Sequence, residues 1–200
     1  MKVIGLCGGS GSGKGAVCEL FRQKNIPTID TDLVYREITG KRGECLTALA
    51  NAFGMDIISA DGSLDRRRLS EIVFSGEGCE GRLELLNSIA HRYILDEVRA
   101  RLTIYKSLGY PAAVVDAPVL YESGFDRECD CVICVVADYE TRISRIVARD
   151  SISAEAAKMR IASQIPDEEL IGRVDYVVEN NSDFGELNIR LEAVLKQIFD

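Results

Sequence analysis

The chain has 200 residues, of which 46% are hydrophobic and 28% charged, and its formal net charge is −8. This length suffices for one well-packed domain with modest insertions. The acidic balance argues against a broad nucleic-acid-binding face, and apolar runs such as Val132 to Ala137 are too short to cross a bilayer.

In chain order, an apolar strand over about Lys2 to Cys7 leads into Gly8-Gly9-Ser10-Gly11-Ser12-Gly13-Lys14, and a helix follows from about Gly13 to Lys24 with Val17, Leu20 and Phe21 on its apolar face. Asn25 and Pro27 end that helix. A short strand, Thr28-Ile29-Asp30, then places Asp30 and Asp32 at its carboxyl end, the edge where open α/β sheets bind ligands. About Leu33 to Leu108 is mostly helical: Cys45 to Phe53, Arg66 to Phe74 and Arg82 to Lys106, with turns at Gly54, Gly62 and Gly76-Glu77-Gly78. That is too much helix for one crossover, so part of it forms an insert above the sheet.

Ala112 to Asp116 is a buried strand broken by Pro118, and Val132 to Ala137 is another. Asp138 to Ser163 is helical with an interruption near Asp150-Ser151, where Ser153 is a candidate cap lacking the acid of a full capping box. Tyr176-Val177-Val178 is a last strand, the turn Asn180-Asn181-Ser182-Asp183 follows, and Phe184 to Phe199 is a closing helix. The seven cysteines are odd in number and mostly sit in apolar stretches, which reads as reduced thiols. Cys131-x-x-Cys134 is half of a zinc pattern without its second pair, so core strand is the expectation there. Together with an N-terminus that starts on a core strand, the thiols lead to an expected cytoplasmic location.

The glycine-rich run between strand and helix is a P-loop. Its backbone N–H groups cradle phosphates, the helix adds the positive end of its dipole, and Lys14 adds a point charge. The pattern wants Ser or Thr after the lysine to ligate Mg²⁺, yet Gly15 and Ala16 stand there and carry no hydroxyl. Arg142, Arg145 and Arg149 are spaced to share one helical face, either as a solvated, salt-bridged face or as a lid that contacts phosphate. Asp32 can cap the helix that follows. Asp116 can hold Mg²⁺ through water or shape the turn into Pro118.

The order of these segments is that of a nucleoside-monophosphate-kinase-like phosphotransferase, and along nearly its whole length the chain resembles the dephospho-CoA kinase family. The segments carrying the resemblance are Ile4 to Lys14, Ile29 to Asp32, Leu64-Asp65-Arg66, Ile72-Val73-Phe74, Ile89-Ala90-His91, Asp116 to Glu122, Arg145 to Arg149, Gln164 and Asp175 to Asn180. The resemblance implies a three-layer α/β/α P-loop kinase with a parallel sheet, built as one domain over 1–200, with a helical substrate-binding insert at about 33–108 and a helical lid at about 138–165. It implies ATP-dependent, Mg²⁺-assisted phosphorylation of the ribose 3′-hydroxyl of dephospho-CoA, the last step of coenzyme A synthesis, with a small-molecule substrate and no evident obligate protein partner. By the same resemblance Asp32 is the base, with Lys14 and Arg145 beside it in catalysis. ATP would meet Gly9, Ser10, Gly11, Ser12, Gly13, Lys14, Gly15, Ala16 and Arg149. Dephospho-CoA would meet Asp32, Arg66, His91, Pro118 and Glu122, and Asp116 would face the metal. Gly15, Arg92, Leu170 and Arg142 depart from the family, which commonly has Ser or Thr, Pro, Lys and Gln at those places. A non-catalytic nucleotide-binding paralogue and a P-loop kinase for another small hydroxyl acceptor remain as alternatives.

Overall fold

The structure, a computed structural model, describes residues 1–40, 43–76 and 78–200. It divides into two compact units, one of Met1–Ile29 with Ile104–Asp200, the other of Asp30–Thr103. The expected insert at about 33–108 covers nearly the same stretch as the second unit.

The first unit is built on a five-stranded sheet in the order β2-β3-β1-β4-β5, where β1 is Lys2–Cys7, β2 Thr28–Asp30, β3 Ala112–Asp116, β4 Cys131–Val136 and β5 Tyr176–Glu179. β1 pairs in parallel with both β3 and β4, and β4 with β5. The central strands are buried almost throughout, which is why they appear as continuous apolar runs rather than alternating ones. Cys131 and Cys134 belong to this buried strand β4, and among the described residues no group of three or more His, Cys, Asp or Glu side chains could hold a metal ion.

α1 (Lys14–Gln23) and the closing helix Phe184–Phe199 pack on the sheet through Val17, Leu20, Phe21, Leu187, Leu191 and Ile198, which join Ile4, Leu6, Val114 and Ile133 in the main core. The first helix stops where Asn25 takes a left-handed φ of 57°. The arginine-rich segment forms a helix over Tyr139–Asp150, broken at Ser151 with φ 54°, and a second over Ala154–Ala162, where the Ser153 hydroxyl accepts from Ala156 N at 3.1 Å. Ile143, Ile146 and Ala157 hold the two helices together. A five-residue helix over Asp167–Ile171 and a 3₁₀ turn over Phe125–Glu128 lie outside the sequence expectations, because segments this short contain too few residues to show a period.

The second unit comprises α2 (Thr31–Thr39), α3 (Glu44–Phe53), a 3₁₀ turn at Met55–Ile57, α4 (Arg66–Phe74) and most of α5 (Cys79–Ser107). In chain order the remaining helices are then α6 (Tyr139–Asp150), α7 (Ala154–Ala162), α8 (Asp167–Ile171) and α9 (Phe184–Phe199). Cys45, Leu46, Leu49, Ile57, Leu69 and Val73 form the second unit's own core. Asp65 caps α4 by accepting from Arg68 N at 2.9 Å. In the expected turn at Gly76-Glu77-Gly78, Glu77 lies outside the described residues, while Gly76 and Gly78 take φ of 74° and 78°. No helix among the described residues is long and apolar enough to cross a membrane.

Asp183 caps α9, its carboxylate accepting from Glu186 N at 3.0 Å. Replacing an N-cap of this type by alanine costs about 1 kcal/mol. Asp183→Ala should therefore lower the unfolding free energy by about that amount in urea titrations, and Asp183→Ser should restore most of it.

Candidate active site

β1 ends at Cys7 and α1 begins at Lys14, so the P-loop turns from the carboxyl end of a central strand into a helix N-terminus. Gly13 makes the last turn with φ 95°, and a Cβ there would lie 2.0 Å from Asn180 Nδ2, so both backbone and packing require glycine. Asn180 follows β5 and is 5% exposed. It is pinned by its own N–H to Val136 O at 2.8 Å, and its Nδ2 donates to Ser12 O at 2.8 Å.

Arg145, on α6, donates from Nη1 to Gly11 O and to Ser12 O, each at 3.3 Å, and from Nη2 to Asn180 Oδ1 at 3.4 Å. Lys14 Nζ donates to Gly8 O at 2.9 Å. Each captured carbonyl belongs to a planar trans peptide whose N–H points the opposite way. The N–H groups of Gly9 and Gly13 are thereby turned away from the side chains that hold the loop, and the N–H groups that the helix geometry leaves open at the start of α1, with the helix dipole, extend them into an anion cradle. Ser12 is 1% exposed and its hydroxyl has no hydrogen-bond partner among the described residues. A buried orphan hydroxyl among outward N–H groups and two cations suits a polyphosphate.

Asp116 ends β3 in register with Leu6 of β1, and Ala117 N donates to Leu6 O at 3.3 Å. Its Oδ2 accepts from the Cys18 thiol at 3.6 Å. Burial, with Asp116 beside it, pushes that thiol up to about 12, so Cys18 stays a proton donor at neutral pH. Lys14 and Cys18 are four apart on α1 and so share its face. Gly15 is exposed and a Cβ there would meet nothing within 4 Å.

The other expected site residues are distributed as follows. Arg149 is exposed and paired with Asp150 at 2.8 Å, and Asp150 also holds Arg160, the two guanidiniums drawing its carboxyl down to about 2. Pro118 and Glu122 are exposed in the turns after β3. In the second unit Asp30, not Asp32, is the cap of α2: its Oδ1 accepts from Asp32 N at 2.9 Å and Leu33 N at 3.0 Å. Asp32 is left exposed in the first turn. Arg66 donates to Thr39 Oγ1 at 3.3 Å and lies over the Tyr35 ring, while His91 is half-buried on α5.

Arg142 departs from both expectations for the arginine stripe, a solvated face or a phosphate contact, since it is buried and bonded to Ser10 O and the Asp167 carboxylate. Ser10 and Ala16, at the tip of the loop and on the first turn of α1, complete the P-loop segment. Sequence reasoning does not reveal Asn180, Gln164 and Asp167 as loop supports. The first two stand only within matching segments, and Asp167 opens an acidic run, Asp167-Glu168-Glu169, that looks like a solvated face.

The dephospho-CoA kinase family model matches residues 2–186. A Bacillus cereus dephospho-CoA kinase is 37% identical over 194 residues, covering 97% of this chain and 96% of the relative. One from Corynebacterium glutamicum is 37% identical over 195 residues, covering 98% and 96%. Among solved structures, a Thermus thermophilus protein superposes with a TM-score of 0.79 at 30% identity, covering 98% of this chain and 97% of that one. A Campylobacter jejuni dephospho-CoA kinase at 24% identity, covering 98% and 96%, has a TM-score of 0.71 and shares the fold.

Gly13→Ala must place a methyl group where Asn180 sits, in a left-handed backbone that costs an L-residue roughly 1–2 kcal/mol. ATP affinity measured by isothermal titration should fall roughly tenfold or more, given 1.4 kcal/mol per decade.

Proposed function

The chain belongs to the dephospho-CoA kinase family, and we propose how its own residues carry out that family's ATP-dependent phosphorylation of dephospho-CoA to coenzyme A. Lys14 and Arg145 bind and neutralise the ATP phosphates over the P-loop N–H groups. The acceptor is the ribose 3′-hydroxyl. As its oxygen bonds to the γ-phosphorus, the bond from that phosphorus to the β–γ bridging oxygen breaks, ADP leaves, and the hydroxyl proton passes to the Asp32 carboxylate. Asp30, by taking the capping role, leaves Asp32 free for this work at the carboxyl end of the edge strand. Arg66, His91, Pro118 and Glu122 serve the acceptor, and Arg149 joins the lid's positive charge when it exchanges Asp150 for a phosphate.

The donor set fits a water-rich Mg²⁺ site: Asp116 is a single carboxylate beside the loop, and Mg²⁺ is commonly held by one or two carboxylates, waters and substrate phosphates. When bound, Mg²⁺ neutralises phosphate charge, and Asp116 would hold it through water. A cytoplasmic location is part of the same proposal, in keeping with seven free cysteines.

The single observation that carries this reading is the loop whose carbonyls are captured by Lys14, Arg145 and Asn180, because it leaves N–H groups and positive charge for a triphosphate. A coupled ATP-consumption assay comparing dephospho-CoA, adenosine, shikimate and AMP tests it. Turnover should depend on dephospho-CoA, and equal or faster turnover with AMP or shikimate would reject the acceptor.

Asp32→Asn should lower kcat by roughly 10²-fold or more, the usual scale for losing a general base, with ATP affinity little changed. Asp30→Asn keeps an N-cap and should cost less turnover; the opposite ranking in steady-state kinetics would reverse the two roles. Gly15→Ser adds a hydroxyl in open space and should lower the Mg²⁺ concentration for half-maximal activity without altering acceptor preference. An active enzyme indifferent to Gly15→Ser would show that a protein hydroxyl is dispensable here.

A further inference from the structure

Arg142 shares a helical spacing with Arg145 and Arg149, but its surroundings differ from theirs. It is 5% exposed. Its Nε donates to Ser10 O at 2.9 Å, its Nη1 reaches both oxygens of Asp167 at 2.9 Å, and its Nη2 donates to Gln164 Oε1 at 3.3 Å. Gln164 completes the ring: Oε1 accepts from Ser10 N at 2.8 Å and Nε2 donates to Ser10 Oγ at 3.1 Å. A Cβ on Gly9 would fall 2.2 Å from Arg142 Nη2, so the guanidinium lies directly against the loop backbone.

We infer that Arg142 is a positioning residue for the P-loop tip, acting on ATP through Ser10 and not by touching phosphate. All three guanidinium nitrogens are already engaged by protein groups, and the charge is matched by Asp167. Ser10 has its N–H, its carbonyl and its hydroxyl each held by Arg142 or Gln164, which removes the freedom that two flanking glycines would otherwise allow. The planar fork is essential, since it serves Ser10 O from Nε while it grips Asp167 from Nη1. A lysine ends in one ammonium group and cannot do both. The partners Gln164 and Asp167 come from the segment after α7, so the tip of the loop is shaped by the arginine-rich helical region as well as by its own sequence.

This inference rests on ATP being the phosphoryl donor, and direct ATP binding separates the two questions. Isothermal titration of ATP into the full chain is compared for wild type, Arg142→Met, Arg142→Lys and Asp167→Asn, alongside KM for ATP and for dephospho-CoA. Charge-assisted hydrogen bonds of this kind are worth enough that Arg142→Met and Arg142→Lys should each raise the Kd and KM for ATP roughly tenfold or more. Asp167→Asn should move both in the same direction, and KM for dephospho-CoA should stay put. If Arg142 acted on phosphate directly, Asp167→Asn would release the guanidinium and ATP would bind as tightly or more tightly; that result overturns the inference. So does an Arg142→Met protein with a lowered unfolding temperature and unchanged ATP affinity. Should Arg142→Met fail to fold, Gln164→Leu removes the acceptor of Ser10 N without touching the ion pair, and unchanged ATP affinity in that variant also overturns it. A wild-type chain that does not bind ATP overturns the donor assignment itself, and the inference with it.

Discussion

The capture of the loop's carbonyl oxygens by side chains from elsewhere in the first unit is the interaction on which the rest of the site depends. Ser10 O is held by Arg142, Gly11 O by Arg145, and Ser12 O by Arg145 and Asn180. A run this rich in glycine would otherwise sample many backbone states, and ordering it costs roughly 1–2 kcal/mol per residue. Once the carbonyls are fixed, peptide planarity fixes the N–H groups as well, and the polarity of the cradle follows without any further device. Lys14 contributes twice, closing the loop on Gly8 O and placing a charge at the start of the helix.

The sheet order explains how residues so far apart in sequence meet there. Parallel pairing of β1 with β3 and β4, and of β4 with β5, brings the carboxyl ends of four strands to one edge. Gly8, Ala117, Ala137 and Asn180 all follow those ends, so the loop, Asp116, the start of the arginine-rich helix and the Asn180 anchor become neighbours. The cost is a central sheet buried on both faces, supplied by the apolar runs of β1, β3 and β4; α1 and α9 together cover the face that carries Ile4, Leu6, Val114 and Ile133. Gly15 stands apart from this scheme. It faces open space, where a Cβ would meet nothing within 4 Å.

The elements whose chemistry is local were legible. Strand β3 lies over Ala112–Asp116, α4 over Arg66–Phe74 and α9 over Phe184–Phe199, as the apolar periods and turn residues implied. The break at Ser151 was equally visible. The aspartate pair was harder, because either Asp30 or Asp32 can cap a helix from its spacing; only the bonds to Asp32 N and Leu33 N separate a cap from a free carboxylate. The arginines were harder still. A three- and seven-residue spacing puts Arg142, Arg145 and Arg149 on a common stripe, yet one is buried against Asp167, one reaches the loop carbonyls, and one pairs with Asp150 at the surface.

By itself, then, the sequence determined what short-range physics can encode: the phosphate-binding turn with its glycines and lysine, the strands and helices around it, and the order of segments that marks the family. Periodicity and turn propensity act over a few residues, so these survive without knowledge of the fold. The tertiary structure alone decided which partner each charge takes. Arg142 and Ser10 are 132 residues apart, and Asn180 and Ser12 are 168 apart. Hydrogen bonds over such separations exist only after the sheet has assembled, because strand order rather than sequence distance sets which loops share an edge.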